Sequence, residues 1–186
     1  EIGQLVQAGA VAFSDGDAPV ANAELMRRAF QYCLMFDKPI LSHAEVKELT
    51  AGGVMHDGLE SMVLGLAGMP SAAEEVMISR DVSLAEATGG RLHILQVSTA
   101  GSVEILRRAR ARGVSVTAGI SPHLFTLNDT ALRSFDSNYK TNPPLRAQHD
   151  VEACIGALAD GTIEVICSQH APHAEEEKMQ ELDMDH

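Results

Sequence analysis

The sequence predicts an α/β fold: about five βα units, the C-terminal portion of a TIM-type (β/α)8 barrel, forming a single partial barrel domain over residues 1–186. Three observations carry this. Short runs rich in Val, Ile and Leu alternate with helical stretches, the pattern of right-handed βαβ units on a parallel sheet. Polar residues follow the end of every run, where barrels place their functional groups. No G-x-G-x-x-G or Walker-A turn is present, and a doubly wound sheet would be expected to show one.

The runs are "GAVAFS" (9–14), "PILSHA" (39–44), "RLHILQVS" (91–98), "VSVTAGIS" (114–121) and "IEVICSQ" (163–169), each too short for a buried helix. After the first, "NAELMRRAFQYCLMF" spaces Leu25, Met26, Ala29, Cys33 and Phe36 as a helix face, with Asn22 as N-cap and Asp37-Lys38-Pro39 as the stop. The second connection is about 45 residues long. Its segment "TAGGVMHDGLESMVLGLAGMPS" predicts a loop folded over the end of the sheet. The helix that follows, "AAEEVMISRDVSLAEATGG", places Ala72, Val76, Ser79, Leu84 and Ala87 together. "GSVEILRRARARG" predicts a helix with Val103, Leu106 and Ala109 inward and Gly113 as its stop. "QHDVEACIGALADG" predicts another, stopped by Gly161.

A net charge of −12 argues against nucleic acid or an anionic membrane as partner. The tail "AEEEKMQELDMDH" reads as a solvated helix face. Cys33, Cys154 and Cys167 are odd in number and widely spaced, which predicts buried free thiols in a reducing cytoplasm. The first residues carry neither a signal-peptide pattern nor a membrane span. Glu1 is not an initiator Met, so the earlier strands are expected upstream of it.

Eight histidines demand a position each. His43 ends an apolar strand where a metal ligand should sit. His93 alternates away from Gln96 and is expected to face the helices. His123 follows a Pro that fixes its turn and is a functional candidate. His170 and His173 form H-x-x-H in a non-helical turn, a weak metal signal by itself. His56 and His149 read as surface residues; the terminal His186 is uninformative. "TNPPLR" offers Asn142 and Arg146 on a proline-stiffened loop, suited to a small ureido or carboxylate ligand. The plain alternative is a surface Arg146 paired with Asp150.

"LTAGGVM", "AEEVMISRD", "TGGRLHI", "VSTAGSVEIL", "NPPLR" and "HAPH…EK" resemble, in order and in register, the class I dihydroorotases of the amidohydrolase superfamily. The resemblance runs from about Gly9 to Lys178 and makes the five strands 4 to 8 of the barrel. It implies reversible hydrolysis of dihydroorotate to N-carbamoyl-L-aspartate in pyrimidine biosynthesis, with zinc supplying hydroxide and a strand-8 Asp shuttling the proton. His43 matches a zinc ligand; Asn142 and His173 match substrate-contacting residues.

Three positions depart from that pattern. Gly16 stands at the metal-bridging carboxylate, with Asp15 and Asp17 beside it as compensating carboxylates. Gln96 stands at a histidine ligand, and an amide oxygen is a poor zinc ligand. Gln169 stands at the acid–base Asp, and an amide cannot take up and return a proton at neutral pH. Two functions remain open. One is a non-catalytic scaffold subunit for aspartate carbamoyltransferase, as the resemblance to metal-less bacterial relatives implies. The other is an active zinc-dependent hydrolase with an atypical site. Residues 1–186 alone, with two open sheet edges, are expected to oligomerise or aggregate.

Overall fold

The five predicted runs form one parallel sheet whose spatial order is their sequence order. A computed structural model describes residues 2–16, 18–178 and 182. Its elements are α1 (Ile2–Gln7), β1 (Phe13–Ser14), α2 (Ala23–Leu34), β2 (Ile40–Ser42), α3 (Lys47–Thr50), β3 (Met55–His56), α4 (Leu59–Leu64), β4 (Gly68–Met69), α5 (Ala72–Thr88), β5 (Leu92–Ile94), α6 (Ala100–Ala111), β6 (Val116–Ile120), α7 (Pro122–Thr126), α8 (Gln148–Ala159), β7 (Val165–Ile166) and α9 (Glu175–Lys178). Two 3-10 turns, Asp129–Ser134 and Ser137–Tyr139, precede α8. Among the described residues no helix is long and apolar enough to cross a membrane.

The sheet runs β1-β2-β5-β6-β7, and among the described residues β1 and β7 each have one neighbour. Phe13, Ile40, Leu92 and Val116 share one register row, and Ser14, Leu41, His93 and Thr117 the next. Successive side chains point to opposite faces, so the two rows face apart. Ile40, Leu92 and Val116 of the first row are buried in the main core with Met26, Phe30, Ile78, Val82, Val103, Leu106 and Cys154 of the four long helices. Those helices pack in the order α2, α5, α6, α8. The second row lines the face that a complete barrel would enclose. There Ser14 and Thr117 are exposed, and Leu41 and His93 half-buried.

Local chemistry explains the helix limits. The Asn22 side chain accepts the Leu25 N–H at 2.9 Å, capping α2 as predicted. Gly113 (φ +82°) and Gly161 (φ +78°) take the left-handed turns that end α6 and α8. Val103, Leu106 and Ala109 are buried as expected.

The predicted faces of α2 and α5 need correction. On α2 Phe30 is buried and Leu25 exposed. On α5 the inward set is Ala73, Glu74, Met77, Ile78, Asp81, Val82 and Ala85, out of phase with the predicted one. The cause is that two acids, Glu74 and Asp81, occupy the buried face because distant partners satisfy them. Ser42 donates to Asp81 Oδ2 at 2.8 Å, and Arg80 grips Oδ1 through Nε and Nη2.

The predicted loop over the sheet end is an ordered lobe. Its strands β3 and β4 pair in parallel, Met55 with Gly68 and His56 with Met69. Val54, Met55, Leu132, Leu145 and Leu182 form its separate core.

Candidate active site

Because every main-sheet strand is parallel, the residues that follow them collect on one rim: Asp15 after β1, His43 and Glu45 after β2, Gln96 after β5, Ser121 and His123 after β6, and Gln169 after β7.

Glu45 is the hub. Its buried carboxylate receives Lys47 Nζ at 2.7 Å, the Thr50 hydroxyl, and Asn142 Nδ2 at 3.1 Å, with His43 Nε2 3.1 Å away. Burial is the largest single influence and would raise its pKa. The hydrogen bonds from His43, Lys47, Thr50 and Asn142 together outweigh it and hold the carboxyl well below its ordinary value. The His43 N–H donates to Asp15 Oδ1 at 2.8 Å. Burial raises the Asp15 pKa despite that bond, and Asp15 Oδ2 is buried without a hydrogen-bond partner.

Gly16, Gln96 and Gln169 differ from one another in their surroundings. Gly16 (φ +63°) sits in a left-handed turn and donates its N–H to Ser14 Oγ at 2.9 Å. Asp17 lies outside the described residues, as does His186. The Gln96 amide oxygen is buried without a partner. Gln169 is fully engaged: Oε1 accepts the Ser121 hydroxyl at 2.9 Å, and Nε2 donates to the Asn142 carbonyl at 2.6 Å. His123 is held below its ordinary pKa by burial, opposed by nearby Gln169, and its Nε2 makes no hydrogen bond of normal geometry.

Asn142 and His43 meet at the same Glu45 oxygen. His170 and His173 stand exposed on the loop after β7.

Three expectations are corrected. His93 faces the barrel's inner side rather than the helices, with Nδ1 2.8 Å from Thr117 Oγ1, because its row alternates with the buried Leu92 and Ile94. His56 is buried, not superficial, with Nδ1 3.4 Å from Arg146 Nη1. Arg146 is buried and spends its guanidinium on Ser98 Oγ (2.9 Å), the Met69 carbonyl (3.0 Å) and Glu74 (3.6 Å), so neither a free ligand fork nor a surface pair with Asp150 is formed. Asp150 instead accepts the Ala100 N–H at 2.8 Å. Sequence reasoning assigned no role to Glu45, Lys47, Thr50 or Ser121. The alternation His43-Ala44-Glu45 directly after a strand was the available signal.

A zinc ion needs imidazoles or carboxylates converging at about 2.0–2.2 Å. Among the described residues no three His, Cys, Asp or Glu side chains do so. His43 offers one imidazole already facing Glu45, Asp15 and Gln96 offer partnerless oxygens, and Gly16 offers nothing. The described residues do not fit zinc by themselves.

The model of the Dihydro-orotase-like family matches residues 1–102. A dihydroorotase of Pelotomaculum thermopropionicum is 58% identical over 184 residues, covering 99% of this chain and 43% of that protein. This chain belongs to the dihydroorotase-like family. A dihydroorotase of Endomicrobium trichonymphae is 54% identical over 99% of this chain and 44% of its own length. The L-hydantoinase (dihydropyrimidinase) from Arthrobacter aurescens superposes with a TM-score of 0.80 at 25% identity, over 96% of this chain and 42% of that one. D-Hydantoinase (dihydropyrimidinase) from Thermus sp. shares the fold, with a TM-score of 0.75. The chain thus spans under half the length of these relatives and forms part of a dihydroorotase-like barrel.

Proposed function

We propose that this dihydroorotase-like segment belongs to a non-catalytic protein of pyrimidine biosynthesis, retained as a scaffold subunit for aspartate carbamoyltransferase. The observation that carries the loss of catalysis is Gln169. At the position matched to the family's acid–base carboxylate stands an amide, bonded at both ends to Ser121 and Asn142. A missing general acid–base costs typically about 10²–10⁴-fold in rate. Gly16 and Gln96 weaken the metal centre in the same direction, while the sheet and its helices are intact. Leu59, Met62 and Val63 on α4 are exposed at helical spacing and give a partner an apolar face.

The test mixes the full-length native protein with purified aspartate carbamoyltransferase at micromolar concentration in sedimentation velocity, alongside an assay of dihydroorotate hydrolysis. A co-sedimenting complex without turnover is expected. Failure to associate overturns the scaffold role.

One observation favours a second reading, a working hydrolase with an atypical metal site. Asp15 Oδ2 and Gln96 Oε1 are both buried and partnerless on this rim, as oxygens awaiting a cation or donor would be. Turnover by the full-length protein would select that reading.

A further inference from the structure

We propose that Gln169 is a positioning residue whose amide latches the Asn142 loop, a wall of the pocket that holds His43 and Glu45, to the end of β6 through the protein's own hydrogen bonds. The inference goes beyond the proposed function and holds under either reading of it.

The two ends of the amide are used in opposite senses. Oε1 accepts from the Ser121 hydroxyl at 2.9 Å, and Nε2 donates to the Asn142 carbonyl at 2.6 Å. Asn142 then donates its own amide to Glu45 Oε2 at 3.1 Å, the oxygen that also faces His43 Nε2. The result is one continuous belt: Ser121, Gln169, Asn142, Glu45, His43. It ties the ends of β6, β7 and β2 to the loop that walls the pocket with Asn142, Pro143 and Pro144.

An ionised Asp or Glu could not close this belt, because a carboxylate only accepts and the Asn142 carbonyl needs a donor. Gln169 also holds a left-handed backbone (φ +48°), sparsely populated by residues with a side chain.

The test uses the full-length native protein, its Gln169→Glu variant, which keeps the side-chain size and removes the donor, and Ser121→Ala. Backbone hydrogen exchange is read by mass spectrometry, and side-chain amide protons by NMR. In Gln169→Glu, exchange across residues 139–148 should rise about tenfold, as expected for one lost hydrogen bond, while α2 and α6 keep wild-type protection. Ser121→Ala should shift the Gln169 side-chain amide signal and raise the same local exchange less. Unchanged exchange at 139–148, or an equal rise in every element, overturns the latch. Should Gln169→Glu fail to fold, the wild type decides. A Gln169 amide proton protected relative to exposed Gln4 supports the latch, and one exchanging as fast as Gln4 overturns it.

Discussion

Two buried glutamates at the same end of the sheet organise two different regions. Glu45 gathers His43, Lys47, Thr50 and Asn142 at the rim. Glu74 gathers the Ser98 N–H and hydroxyl, the Thr99 N–H and Arg146 at the seam between the main sheet and the β3–β4 lobe. At the seam every polar end of the Glu74 and Arg146 side chains has a partner. Around the rim Asp15 Oδ2, Gln96 Oε1 and His123 Nε2 have none, against Asp150 Oδ2 alone beside the seam. A buried polar atom without a partner costs about 1–3 kcal/mol, so such atoms should gather where a fold has kept chemistry at the expense of stability. The seam is built to hold; the rim keeps the outline of a reactive site.

The largest expected effect therefore falls on the seam. Arg146→Met strands the Glu74 carboxylate and should destabilise by about 3–5 kcal/mol in chemical denaturation, with Glu74→Gln in the same chain restoring part of it. At the rim Glu45→Gln removes the charge from its hydrogen bonds and should cost less, about 1.5–3 kcal/mol. Its distinctive sign would be a change in the His43 imidazole ¹⁵N shifts, which Arg146→Met should leave alone. If Glu45→Gln proves the more damaging change, the contrast between the two regions is wrong.

Acid separates them further. Burial, with Arg146 beside it, pushes His56 below its ordinary 6.5, and burial does the same for His93 and His123. A lowered histidine favours the neutral form in the fold. Its contribution is complete above pH 6.5 and is lost as pH falls from there through the lowered value. Glu45, held below its ordinary 4.5, contributes above pH 4.5 and loses that only below it. Stability measured against pH should thus fall in two limbs. His56→Gln should make the first limb shallower, with His93 and His123 supplying the rest, and leave the second; an unchanged first limb would remove His56 from the seam's energetics. The smallest effect is on the surface, where Arg108→Ala breaks an exposed pair with Glu104 and should change stability by less than about 0.5 kcal/mol.

Much of this was legible in the sequence. Apolar runs gave the five strands, and the helical stretches between them gave their parallel order. The rim followed from strand ends. What escaped notice was polar burial. Glu74, Asp81, His56 and Arg146 sit inside because of partners 24 to 90 residues away, apart from Arg80 beside Asp81, and hydrophobic periodicity cannot see such pairing. The same blindness put α5 out of phase and turned the ordered β3–β4 lobe into a loop.

We propose that the rim is a metal site given up. Elemental analysis of the full-length native protein, purified with added zinc and then dialysed, tests this most directly. Near-zero zinc per chain is expected. One or two tightly held zinc ions would contradict it.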